Sequence, residues 1–301
     1  MNIYFAPLEG ITGMIFRQAY EKNFGGIDRY YAPFVTTRDG GIMKKKEKRD
    51  ILPENNKGID LVPQIMTNSV EDFRKTAGQM AEMGYREVNL NLGCPSGTIV
   101  PKRKGAGFLR EPEKLERFLD GIYTDAPLAI SIKSRIGFYE PEEFRRLLDI
   151  YNQFPVKELI LHLRTREEFY NGPVHEEAFE YAAEHSKNPL CYNGDVCFIE
   201  QIEKLKEKYP SLSSVMIGRG FLRCPGFVTG ENRADKIYQF MTDLEQAYEE
   251  YMSGEVPVLF KMKEMWTYLQ ASFPEGEQWF RKIKKMKKLS EYKKFMREKF
   301  E

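Results

Sequence analysis

In Val88-Asn89-Leu90-Asn91-Leu92-Gly93-Cys94-Pro95, apolar Val88, Leu90 and Leu92 alternate with polar residues. That period of two is the mark of a β-strand, and Pro95 must end it. A cysteine therefore sits at a strand end, ahead of a loop rich in Gly and Lys. Its thiol is packed, metal-bound or chemically employed. The answer depends on what other strand ends lie beside it.

Outward from this strand, short apolar runs recur at even intervals: Ile3–Leu8, Tyr30–Val35, Leu61–Met66, Glu87–Leu92, Leu128–Lys133, Glu158–Leu163, Leu190–Asn193 and Ser214–Ile217. Helical patterns separate most of them. Ser69 with Asp72 suggests a helix start, followed by Phe73, Ala77, Met80 and Ala81 at helical spacing. Pro112 suits a first helical position before Leu115, Phe118, Leu119 and Ile122. Pro141, Phe144, Leu147, Leu148 and Tyr151 repeat the arrangement. Eight strand–helix units predict a (β/α)8 TIM barrel, a fold of about 250 residues. The alternative, a doubly wound sheet, wants a GxGxxG turn after an early strand, and none is present.

After "GFVTGEN" the alternation stops. Ile237, Phe240, Met241, Leu244, Tyr248 and Tyr251 mark a long amphipathic helix. Leu259, Met262, Trp266 and Leu269 mark a second, and Trp279, Phe280, Ile283 and Met286 a third. The expected organisation is a barrel over 1–230 and a small helical domain over 231–301.

Composition narrows the class. The 301 residues carry 46 Lys and Arg against 45 Asp and Glu, a net charge of +1. The balance is uneven: from Arg281 onward ten cations face Glu291, Glu298 and Glu301. No apolar run approaches the roughly 20 residues of a membrane span, and the N-terminus lacks a secretory pattern. Cys94, Cys191, Cys197 and Cys224 form no CxxC pair, and His162, His175 and His185 no HExxH spacing. Zinc and a disulfide framework are thus disfavoured, and a cytoplasmic enzyme with no evident obligate protein partner is expected.

Polar residues close one strand after another: Gln64; Asn91 with Cys94; Lys133; His162 with Arg164; Asn193-Gly194-Asp195; and Gly218-Arg219-Gly220. Singly, each is a local hydrogen-bond partner or an ordinary turn. At the C-terminal ends of barrel strands they would converge on one mouth, where such folds keep their sites. The last two loops suit a phosphate, with glycines admitting backbone N–H groups and Arg219 adding charge. Lys133 in the floor would stabilise the anionic form of a reduced flavin; the alternatives are a structural lysine paired with an acid and Schiff-base chemistry.

The ordered series "APLEGITG", "VPQIMTN", "VNLNLGCP", "KGAGFL", "SIKSR", "HLRT" with a following "FYNG", "NGD" and "IGRG" resembles the tRNA-dihydrouridine synthase family from residue 3 to about 222. The resemblance implies FMN as cofactor, NADPH (or NADH) as reductant and tRNA as substrate. It places Pro7, Leu8 and Glu9 against the flavin, with Leu8 standing where the family usually has Met. Gln64 and Lys133 would hydrogen-bond the ring, His162 would sit beside it, and Asn193, Gly194, Asp195, Gly218 and Arg219 would hold the phosphate. Asn91 and Arg164 would read the target uracil. Leu163, where the family has a small residue, is expected to alter the pocket wall.

Cys94, on a loop 95–105 expected to be mobile, then becomes the proton donor to uracil C5, because a thiol is protonated at neutral pH. Lys102 and Lys104 on that loop, and the basic C-terminal tail, are RNA-contact candidates. The rival readings are a flavin barrel acting on a free pyrimidine, similar to dihydroorotate dehydrogenase, and a non-catalytic RNA-binding protein.

Overall fold

The computed structural model describes residues 1–38 and 41–300. Among the described residues eleven strands form one sheet: β1 Asn2–Phe5, β2 Arg29–Tyr31, β3 Val35–Arg38, β4 Ile42–Met43, β5 Leu61–Val62, β6 Gln64–Met66, β7 Glu87–Leu92, β8 Ala129–Gly137, β9 Leu159–Thr165, β10 Leu190–Asn193 and β11 Ser214–Ile217. All neighbours pair in parallel except β3 with β4.

The sheet closes on itself. β11 pairs with β1 in the register Asn2↔Ser214 to Phe5↔Ile217, and β1 pairs with β2, which pairs with β5. β5 and β6 are one strand interrupted at Pro63, and β6 joins β7, so the ring is continuous. Proline has no N–H for the ladder, which is why the single run expected over Leu61–Met66 is split. The run expected over Tyr30–Val35 is likewise divided, around Pro33, into β2 and β3. The eight-unit (β/α)8 barrel is the observed fold.

Helices cover the outside: α1 Met14–Asn23, α2 Lys45–Ile51, α3 Val70–Glu82, α4 Pro112–Tyr123, α5 Phe144–Tyr151, α6 Glu176–His185, α7 Ile199–Lys208 and the short α8 Arg219–Arg223. The Ser69 hydroxyl caps α3 by accepting the Asp72 N–H at 3.2 Å, and Pro112 opens α4. Strand alternation separates two cores. Leu159, Leu161 and Leu163 of β9 belong to the layer between sheet and helices, whereas Tyr4, Ala6, Tyr31, Val62, Ile160, Cys191 and Met216 form a second cluster apart from it.

Beyond the barrel come α9 Ala234–Tyr251, α10 Glu255–Leu269, α11 Gly276–Lys285 and α12 Leu289–Phe300. α9 lies on α1, with the Phe240 ring 5.7 Å from Phe16 and 5.4 Å from Phe24. α12 seals the group, and its Leu289, Tyr292, Phe295 and Met296 are buried. These helices share one continuous apolar core with the barrel. No helix among the described residues is long and apolar enough to cross a membrane.

Candidate active site

The site grows from the inward faces of β6 to β8. With a period of two, Gln64, Asn89, Asn91, Ser131, Lys133 and Arg135 point the same way, and their amides are linked across strands. Gln64 Nε2 donates to Asn89 Oδ1 at 2.7 Å, Asn91 Nδ2 to Gln64 Oε1 at 2.7 Å, and Asn89 Nδ2 to Ser131 Oγ at 2.9 Å. Buried amides satisfied by one another make a rigid floor. The Asn91 carboxamide oxygen also accepts the N–H groups of Gly93 at 3.0 Å and Cys94 at 2.9 Å. Asn91 thus bends the chain so that Cys94 faces the mouth.

The loop after Cys94 folds back toward that residue. Two 3-10 turns, Val100–Lys102 and Gly105–Arg110, fold it back, and Ala106 N–H donates to the Cys94 carbonyl at 3.0 Å. Gly105 has φ +55°, and a Cβ there would stand 2.9 Å from the Cys94 carbonyl oxygen. Only glycine meets both demands. Cys94 is left half-buried, and burial pushes its thiol pKa up. At neutral pH it carries its proton.

Cations dominate the rest of the cavity. Lys133 Nζ donates to Asn193 Oδ1 at 2.7 Å, and Lys133 has no carboxylate partner among the described residues. Burial first, and then the nearby Arg135 charge, lower its pKa to about 7. Arg135 is itself brought to about 10, chiefly by burial. His162 is driven well below its usual value by burial and by Arg135 and Lys133, so it is neutral. Groups that depress one another in this way are short of negative charge, and an anion bound among them would raise all three.

On the far side Asp195 pairs with both Arg164 and Arg219. Burial opposes its charge, but the two guanidinium groups outweigh that and hold its carboxyl below the usual range. The loops after β10 and β11 meet here because Gly220 packs against the Val196 carbonyl, leaving no room for a Cβ. The resulting cavity, about 370 Å³, is lined by Pro7, Leu8, Glu9, Gln64, Asn91, Cys94, Lys133, His162, Asn193, Gly194, Asp195, Gly218 and Arg219, together with Arg135, Phe169, Tyr170 and Tyr268.

A sequence model of the dihydrouridine synthase (Dus) family matches residues 4–301. The chain belongs to the dihydrouridine synthase family. A probable tRNA-dihydrouridine synthase of Staphylococcus aureus (strain Mu50) is 29% identical over 229 residues, 73% of this chain and 68% of its own length. A tRNA-dihydrouridine(16) synthase of Vibrio parahaemolyticus is 24% identical over 302 residues, 96% of this chain and 93% of its own. Among solved structures, the old yellow enzyme from Trypanosoma cruzi superposes with a TM-score of 0.53 at 10% identity, covering 84% of this chain and 94% of that one. Morphinone reductase in complex with tetrahydroNAD gives 0.51 at 13% identity, covering 75% and 85%. At such identities the structural likeness concerns the barrel alone.

As a dihydrouridine synthase family member the protein is an oxidoreductase that reduces uridine with a flavin and a nicotinamide reductant. The cavity fits a flavin on its own chemistry. It offers amide and ammonium donors at the floor, apolar Pro7 and Leu8 on one wall, and surplus positive charge for an anionic ring and phosphate.

Three expected site residues stand elsewhere. Arg164 is buried behind the wall, donating to Gly172 O at 2.7 Å and paired to Asp195, and does not line the cavity. Lys102 and Lys104 lie on the outer loop. The expectation for Leu163 is corrected, because it packs on the helix side of β9, opposite His162, and leaves the pocket wall untouched. Arg135, Tyr170 and Tyr268 were not singled out by sequence. Arg135 is two residues past Lys133, in a strand that continues to Gly137, so extending the alternation would have found it. Tyr268 comes from α10, and no local pattern announces that.

Proposed function

We propose that the protein reduces particular uridines of tRNA to 5,6-dihydrouridine in the cytoplasm, with FMN as its flavin and NADPH as reductant. The observation that carries this reading is the protonated, half-buried Cys94 thiol beside the uncompensated cations Lys133 and Arg135. FMN rather than FAD suits the loops Asn193–Asp195 and Gly218–Gly220, which offer one phosphate site and no adenosine fingerprint. Arg219 and backbone N–H groups hold the phosphate. The Asp195 carboxylate cannot donate, so its part is to orient Arg219 and Arg164.

Bound at this floor, reduced FMN supplies the hydride that adds to C6 of the uracil. Cys94 gives its proton to C5, and the thiolate left behind is eased by Arg135 and Lys133 until solvent reprotonates it. Gln64 and Lys133 would hold the flavin through their side-chain donors, with the neutral His162 and with Pro7, Leu8 and Glu9 completing its site. Asn91 aims the Cys94 loop and has one amide hydrogen left for the base. Arg135 and Tyr170, with a guanidinium-to-ring distance of 5.2 Å, close over the uracil.

Residues 231–301 act as the domain that steadies tRNA while the base is turned out, a step costing a few kcal/mol. Lys102 and Lys104 meet its phosphates. The test is a map of dihydrouridine in RNA from cells lacking this gene. Loss at one or a few tRNA positions is expected. An unchanged map, with free uracil or dihydroorotate turned over by the purified protein, would overturn the reading.

A further inference from the structure

The loop after β9, residues 166–175, supplies Phe169 and Tyr170 to the cavity wall. Both residues also reach solvent, 38% and 47% exposed, while burial still raises the Tyr170 hydroxyl pKa. Tyr170 lies 5.2 Å from the Arg135 guanidinium, 5.4 Å from that of Arg219 and 6.0 Å from the His162 ring. Half-exposed rings held among cations suit stacking on a nucleobase. Holding them there requires that the loop be ordered beforehand.

One carboxylate ties both ends of this loop. Glu168 Oε2 accepts the Thr165 N–H at 2.7 Å and the Thr165 hydroxyl at 3.1 Å, where the loop leaves β9. Glu168 Oε1 meets His175 Nε2 at 2.7 Å, where the loop enters α6. The other His175 ring nitrogen faces Glu177 Oε1 at 3.1 Å. Gly172 crosses so close over Glu168 that a Cβ would lie 2.6 Å from that side chain. Arg219 Nη1 donates to the Tyr170 carbonyl at 2.9 Å, which joins the loop to the phosphate side of the cavity.

We infer that Glu168 and His175 are positioning residues for the reaction, closing the 166–175 loop so that Tyr170 stands against the substrate base. This rests on the reading of the site as a uridine reductase. A neutral imidazole donates from one nitrogen and can satisfy Glu168 or Glu177, whereas the imidazolium satisfies both. The charged groups facing His175 are Glu168 from the loop and Glu177 from α6. From β9 the Leu163 carbonyl accepts the His175 backbone N–H at 3.0 Å and leaves the ring untouched, and Glu176 is engaged with Lys208 at 3.0 Å. Burial opposes the imidazolium, but the bonds to the two carboxylates outweigh it and raise the His175 pKa. Because that pKa is raised, the closure is complete below it and loosens as pH rises through it.

The test uses the full flavin-loaded chain and an unmodified tRNA transcript from roughly pH 6 to 9. Dihydrouridine formation, RNA affinity by titration and NADPH-driven flavin reduction are followed together. His175→Ala and Glu168→Gln should raise KM and Kd for RNA about tenfold with kcat within about threefold, and flavin reduction should stay at the wild-type rate. His175→Gln, whose amide can still donate to Glu168, should restore RNA affinity and abolish its weakening at high pH. Wild-type affinity in His175→Ala, or the same pH dependence in His175→Gln, would overturn the inference alone. A wild-type chain that reduces its flavin but makes no dihydrouridine would overturn the function beneath it as well.

Discussion

Cys94 and Lys133 face one cavity with opposite electrostatic problems. Burial keeps the thiol protonated, since removing its proton would leave a poorly solvated anion. Burial also makes the Lys133 ammonium expensive, so that it titrates near 7 until an anion arrives. The sign for Cys94 follows. Its folded pKa is raised, so the donor form is present below that value and is lost as pH rises through it. Cys94→Ala should keep flavin binding and NADPH-driven flavin reduction while dihydrouridine formation falls by roughly 100- to 10,000-fold. Cys94→Ser should do little better, a hydroxyl being the weaker acid. Parallel stopped-flow and nucleoside analysis would check this, and equal loss of both half-reactions would move Cys94 into flavin binding. Sequence alone marked this thiol because Cys94 ends a strand among other polar strand ends. It could not show that Arg164 is taken by Asp195, because that pair joins two strand ends far apart in the chain; the turn by which Asn91 holds Cys94 is local by comparison.

Elements were legible in proportion to how local their causes are. Caps, helix faces and strand alternation lie within a few residues of one another, so α3, α4, α5 and β7 could be read directly. The expected run Leu61–Met66 passed straight through Pro63, and the sequence did not show that β5 and β6 pair with different neighbours across it. Close approaches between loops are the least legible, and Gly220 is the sharpest case. In Gly220→Ala the new Cβ would overlap the Val196 carbonyl, so the loops after β10 and β11 must part, at about 1–3 kcal/mol. Flavin retention on dialysis should fall with it. Gly78→Ala is the contrast, since a Cβ there meets nothing within 4 Å and lies inside α3. It should stabilise the chain by about 0.5–1 kcal/mol. Urea unfolding of both variants measures the pair, and a Gly220→Ala protein as stable as wild type would mean that the two loops are not packed as described.

At the scale of the whole molecule, barrel and helices form one body with a charged outer surface. The aromatic cluster of Phe16, Phe24 and Phe240 joins α1 to α9, and Lys261 Nζ reaches the Gly10 carbonyl at 2.5 Å beside the mouth. The basic tail is part of this body, because α12 buries Tyr292 and Phe295 while its cations stay outside. Lys282, Lys285, Lys287 and Lys288 are exposed and have no ion-pair partner among the described residues. If they meet RNA phosphates, replacing them with Gln should flatten the log–log salt dependence of tRNA binding, with flavin reduction intact. The slope should drop by about 0.7 to 0.9 for each phosphate no longer neutralised. An unchanged slope would leave them as solvated surface. The central claim, that this barrel transfers hydride and proton to uridine in tRNA, has a direct measurement. The purified chain is reduced with NADPH, freed of excess reductant, and mixed with an unmodified tRNA transcript, and the digested nucleosides are weighed by mass spectrometry. Dihydrouridine should form in proportion to the reduced flavin supplied, with the flavin reoxidised as it forms. Flavin that stays reduced beside unaltered uridine would contradict it.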